Sequence, residues 1–310
     1  MGSPGREAGA GDPFTIVTPS FATDYQLFRE LHESVQRFAP LSKHTVIVPR
    51  ADRSLFARID SSQLEIVTVE EVMPRHVVST PGWGGWLNLA RPWPPIRGCV
   101  MQQITKLEVA RQAPTPRVLL LDSDCELNRR VDAGSFDEDG LLPVYEVPGG
   151  VTAQMRRHLR SHRVAHAFLG LPAPPTPPLS DHITPVMMWD RDVVRELLDH
   201  VERVGGRSFW TILGRELHVS EFILYGVFAR TVLGVAATTQ VRCLEYWHDE
   251  PLDDDAARHF VAGLEPAHLA VMISAKSGAD LLCGNASITT SSSSVGEGQP
   301  LSRQLPPFIT

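Results

Sequence analysis

Closely spaced cysteines are missing from this chain. Cys99, Cys125, Cys243 and Cys283 lie far apart with no C-x-x-C pair, which fits reduced thiols better than a zinc site or a disulfide framework. No apolar run approaches the roughly 18 residues needed to span a membrane. The amino terminus has no charged-then-apolar leader pattern, so a cytoplasmic protein is expected. A basic excess is also absent. The formal charge is −7, and a general nucleic-acid binder needs a basic face for phosphates. No internal repeat is visible. The remainder is ordinary globular composition, 43% hydrophobic and 21% charged, long enough for one large α/β domain or two smaller ones.

What is present centres on one junction. Val118-Leu119-Leu120-Leu121 has the length and character of a strand buried on both faces, and it runs directly into Asp122-Ser123-Asp124. The period of two along a strand sends Asp122 and Asp124 to the same side. Two carboxylates at the carboxyl end of a buried strand offer hard oxygens suited to Mg²⁺ or Mn²⁺. The D-x-D tripeptide recurs at Asp137/Asp139, Asp190/Asp192 and Asp253/Asp255, but only the first copy follows an apolar strand. A plain solvated turn is the alternative reading of that pair.

Residues 1–12 are Gly-rich and expected to be disordered, as is the serine-rich tail from 285 onward. Strands are expected at 14–18, 44–48 and 64–69, with a helix over 25–38 between the first two. That opening predicts an open, mostly parallel α/β sheet flanked by helices. Ligands in such sheets bind beyond the carboxyl ends of the strands, where 18–24, 49–52 and 122–124 should converge. Residues 81–95 read as an ordered loop packed by Trp83, Trp86 and Trp93. A helix over 101–111 carries Lys106, which reads as a diphosphate contact or as a solvated charge. A basic helical stretch over 151–169 reads as a clamp on an anion or as a solvated face. A proline-rich linker follows at 171–178. A strand is expected at 183–189, then a helix over 191–204 capped by Asp190 and ended by Gly205-Gly206. Ser220 caps a helix over 221–229, and 241–246 forms a late strand.

Taken together, the first strand ending at Thr18-Pro19, the second ending near Arg50, the Leu-Leu-Leu-Asp-Ser-Asp run, Ser220-Glu221-Phe222 and His248 after the late strand resemble the GT-A glycosyltransferases, nearest to a bacterial group within that superfamily. The likeness covers about residues 14–250. It implies a GT-A-like (Rossmann-like) catalytic domain over 13–284, with a nucleotide-binding half at 13–130 and an acceptor half at 131–284. It also implies transfer of a hexosyl-type sugar from a UDP- or GDP-sugar donor to an acceptor hydroxyl of a small molecule or cell-surface precursor. Under that likeness Asp122, Asp124 and His248 hold the divalent metal, Mn²⁺ or Mg²⁺. Thr18, Pro19, Ser20, Arg50, Lys106, Asp122 and Ser123 meet the donor. Glu221 falls where inverting members place the general base, although an acid in a first helical turn is also favoured by the macrodipole alone. The oligomeric state is left open. Two other readings stand beside this one. The same junction could be the nucleophile loop of a haloacid-dehalogenase-like phosphatase with Asp122 attacking phosphorus, or the chain could bind a sugar nucleotide without turning it over.

Overall fold

The computed structural model describes residues 13–80, 85–247 and 254–273. Both terminal segments, Trp83, His248 and Cys283 lie outside the described residues.

In chain order the elements are β1 (Thr15–Pro19), α1 (Tyr25–Phe38), β2 (Lys43–Val48), α2 (Arg53–Phe56), β3 (Leu64–Thr68) and α3 (Val69–Val72). A meander of β4 (Val77–Thr80), β5 (Gly85–Asn88) and β6 (Arg91–Ile96) leads into α4 (Gly98–Gln112) and then β7 (Arg117–Leu121). Beyond the D-x-D turn come β8 (Cys125–Leu127), β9 (Val144–Tyr145), β10 (Val147–Val151), α5 (Arg156–Phe168), β11 (Leu179–Asp181) and β12 (Val186–Asp190). The chain continues through α6 (Arg191–Gly205), α7 (Phe209–Leu213), α8 (Glu221–Val227), β13 (Ala237–Thr238), β14 (Cys243–Tyr246), α9 (Asp254–Val261) and β15 (Ala270–Ile273).

The central sheet has the order β12-β7-β1-β2-β3. All its pairs are parallel except β12 with β7. The apolar run before Asp122 behaves as its composition requires, because every residue of β7 is buried. Val118 and Leu120 pack with α4, α6 and α8, whereas Leu119 and Leu121 pack with α1, β8 and β15. The sheet is therefore an inner layer, mostly parallel and covered on both faces, as parallel sheets generally are. No helix among the described residues is long and apolar enough to cross a membrane.

Local chemistry sets the helix ends that matter for the site. Asp190 accepts from the backbone of Asp192 and Val193 at the start of α6, and Gly206 closes that helix in the left-handed region at φ 63°. Ser220 Oγ accepts from Ile223 N at 3.2 Å and opens α8. The stretch 81–95 departs from the loop expectation. Its described part pairs into an antiparallel sheet with β4, in which Trp86 lies opposite Ser79. The Pro-rich sequence of β6 obscured the strand, since a meander at the sheet margin tolerates missing N–H donors. Trp93 is 76% exposed and packs no loop.

One histidine ties α5 to β11, and a second, just before β12, lies beside it. His162 Nε2 meets Ser180 O at 2.8 Å, and the His182 ring lies 6.3 Å from the His162 ring. Burial holds His162 down to about 4, only partly offset by Ser180. A histidine kept neutral in the fold but protonated when unfolded stabilises the protein above its ordinary pKa and loses that contribution as pH falls toward the folded value. Between pH 7 and pH 4, wild type should lose roughly 2 kcal/mol more than His162→Asn in urea unfolding, the difference belonging to this group.

Candidate active site

Three loops meet at the carboxyl end of the central sheet, and hydrogen bonds join them. Ser20 N donates to Ile47 O at 2.9 Å, next to the end of β2. Ala22 N donates to Asp52 Oδ2 at 2.9 Å, fastening the loop after β1 to the loop after β2. Ser123 Oγ donates to Asp24 Oδ2 at 3.3 Å, fastening the D-x-D turn to the loop after β1. Because β12 runs antiparallel with Val186 opposite Leu121, residues 182–185 arrive at this same end. A shared rim beyond the strand ends is where open α/β sheets hold ligands.

A buried cation sits at the rim. Lys106, on α4, is buried, and its Nζ donates to Glu221 Oε1 at 2.9 Å and to Asp122 Oδ1 at 3.2 Å. The Glu221 side chain is 3% exposed and that of Asp122 41% exposed, so the ammonium connects an interior carboxylate to one at the surface. Burial alone would lower the Lys106 pKa. The charges of Asp122 and Glu221 outweigh it and hold the amine above its ordinary value, so Lys106 stays charged. The Nζ also lies 5.0 Å from the centre of the Phe222 ring. The solvated reading of Lys106 does not hold, because the charge is buried and has two protein partners.

The other expected residues divide by what their side chains touch. Thr18 is fully buried, and its hydroxyl is within 3.0 Å of His44 Nε2, beneath the rim rather than on it. Pro19 is buried as the last residue of β1. Ser20 is 4% exposed and its hydroxyl has no hydrogen-bond partner. Gln103 Oε1, one turn before Lys106 on the same helix face, is likewise buried and without a partner. Arg50 is exposed; its backbone N–H donates to Glu70 Oε2 and its carbonyl accepts from Arg53 N. Asp122 and Asp124 are both half-buried on either side of buried Ser123, the alternation expected of the strand end.

Sequence reasoning passed over Glu245. Met272 of β15 lies opposite Cys125 of β8 and also opposite Glu245 of β14, which carries that carboxylate to the side of the D-x-D turn. Burial pushes the Glu245 carboxyl up, a 2.7 Å bond from Trp247 Nε1 eases it, and the charges of Asp181 and Asp122 push it further. The available signal was an acid near the end of a late strand, in the position already used to single out Asp122.

Gly226 shows how tightly α8 is set against this region. A Cβ there would overlap the His182 ring, whose Nδ1 donates to Tyr145 O at 2.9 Å. Gly226→Ala should therefore destabilise the fold by about 1–3 kcal/mol in chemical unfolding through overpacking.

Among the described residues no group of three or more His, Cys, Asp or Glu is arranged to enclose a metal ion. The donor set at the rim suits an open cation site instead. Asp122 keeps Oδ2 outside its bond to Lys106, Asp124 is half-buried one residue beyond Ser123, and hard cations commonly combine one or two carboxylates with substrate phosphates. The residues present therefore fit a divalent cation.

Residues 13–260 match a family described as a family of unknown function, DUF6492. The chain belongs to that family. No curated protein sequence matches it. Among solved structures it is similar to the galactosyltransferase LgtC in complex with donor and acceptor sugar analogues, at 12% identity over 84% of this chain and 87% of that one, TM-score 0.42. It is also similar to mouse xyloside xylosyltransferase 1, at 13% identity over 86% and 99%, TM-score 0.45. A third similar structure is the glycosyltransferase GlyE of Streptococcus pneumoniae TIGR4, at 12% identity over 86% and 56%, TM-score 0.43. These superpositions are too loose to carry residue roles across, so roles for this family member rest on its own geometry.

Proposed function

We propose that the protein is a metal-assisted glycosyltransferase of GT-A type. It passes a sugar, of hexose type, from a UDP- or GDP-sugar to an acceptor hydroxyl within a single catalytic domain over 13–284. The observation that supports this reading most is the buried Lys106, held between Asp122 at the end of β7 and Glu221 at the start of α8, at the rim where three loops are hydrogen-bonded together.

Cleavage of the bond between an anomeric carbon and a diphosphate places negative charge on the leaving oxygen. Asp122 and Asp124 would hold the cation, with His248 as a further ligand from the chain after β14. Bound there, Mn²⁺ or Mg²⁺ would neutralise the leaving diphosphate. Lys106 fixes the Asp122 carboxylate in place. Ser123 fixes the turn to Asp24, and the unpaired Ser20 hydroxyl offers a hydrogen bond to the nucleotide next to the exposed Arg50. Thr18, hydrogen-bonded to His44 in the interior, supports the end of β1 from which this loop leaves.

For Glu221 the geometry favours a positioning role over the general base expected from its place in the sequence. A base must reach the acceptor proton, but this carboxylate is interior and one of its oxygens is already held by Lys106. It acts on the site through that amine, which suits a retaining reaction that needs no such base.

A thermal-shift panel of nucleoside diphosphates and sugar nucleotides, with and without Mn²⁺, tests the reading. Binding to the folded state alone raises the melting temperature by mass action. A UDP or GDP species that stabilises only with Mn²⁺ is expected. A phosphoenzyme trapped on Asp122, with no nucleotide stabilising the protein, would replace the transferase with a phosphatase.

A further inference from the structure

Beside the start of α8 lies a second concavity of about 560 Å³, the size of a small-molecule site. Arg156, Arg157, Arg160 and Arg163 line it from α5, together with His218 from the approach to α8, and Glu216 is the one carboxylate among the described residues of the lining. The spacing of Arg156, Arg160 and Arg163 is that of a single helix face. Like charges three and four apart disfavour a helix, and these three have no carboxylate partner among the described residues. The chain as a whole carries a net charge of −7, so this is a local excess of cations against the general balance. His218 Nδ1 is buried and has no hydrogen-bond partner. Burial lowers the His218 pKa, and the charges of Arg160, Arg97 and Arg157 lower it further, so three guanidinium groups act on this imidazole.

The pocket is close to the proposed chemistry. Two residues, Val219 and Ser220, separate His218 from Glu221, a chain reach of about 10 Å at most, and Glu221 is bonded to the amine that holds Asp122.

We propose that this pocket binds the oxyanion group of an anionic acceptor, a phosphate or a carboxylate, and so presents a hydroxyl of the same molecule to the sugar at the D-x-D rim. Arginine suits the task because its planar fork matches both oxyanions. The assignment rests on the transferase reading for the word acceptor, but the anion site itself can be tested without turnover.

The experiment is calorimetric titration of the full chain with glycerol 3-phosphate and, separately, glycerate, in wild type and in Arg160→Ala/Arg163→Ala. Both arginines are exposed, so the variant should fold. Wild type should bind at least one of the two anions, with affinity at least ten-fold weaker in the double variant and Mn²⁺-dependent nucleotide binding unchanged. Which anion binds identifies the oxyanion. Equal affinity in both proteins, or no binding of either anion to wild type, overturns the proposal. Arginine-dependent binding only to vesicles of anionic lipid overturns it in favour of a surface-binding face. Arginine-dependent anion binding with no nucleotide bound by wild type would remove the acceptor role and leave an anion site without the transferase.

Discussion

Lys106→Met should lower the unfolding free energy by about 3–5 kcal/mol at neutral pH, because it leaves the interior carboxylate of Glu221 without its cation. The bland expectation for a lysine in mid-helix is a change within about 0.5 kcal/mol, so chemical unfolding separates the two clearly. Lys106→Met/Glu221→Leu should recover most of the loss, since replacing both members of a buried pair with apolar side chains is often close to neutral. Recovery of stability should not bring back nucleotide binding. In the double variant the Asp122 carboxylate has lost the amine that fixes Oδ1. If both stability and nucleotide affinity return together, the cluster serves the fold alone.

Glu221→Gln should lower turnover about ten-fold and raise KM for the donor, with the pH dependence of kcat unchanged. The amide can still accept from Lys106 but no longer balances its charge, so the amine and Asp122 shift and donor placement suffers. Loss of a general base reads differently. It removes about 10²–10⁴ from kcat and abolishes the limb of the pH profile that reports the base. Kinetics with the donor identified by thermal shift decide between them. The missing limb would restore Glu221 as the base of an inverting reaction.

The central sheet was legible because its signals are local. The apolar run before Asp122, the amphipathic stretch 25–38 and the Ser220 and Asp190 caps each name an element within a few residues. The meander at 85–96 was not legible, since its prolines argue against strands and only its pairing with β4 reveals them. At the site, Asp122 and Asp124 could be selected from four D-x-D copies by the strand before them. The Lys106–Glu221 pair could not be read in advance, because its members lie 115 residues apart and meet only when α4 and α8 pack on the same face of the sheet. Glu245 was missed for a similar reason. It reaches the rim through two strand pairings in a small sheet that the linear pattern does not announce.

All of these roles depend on a cation held at the end of β7. The most direct test is isothermal titration of the stabilising nucleoside diphosphate into wild type and Asp124→Ala, with and without Mn²⁺. Wild-type affinity should rise at least ten-fold on adding Mn²⁺, while Asp124→Ala should show no gain and keep the melting temperature of a folded protein. An undiminished Mn²⁺-dependent gain in the variant would contradict the account.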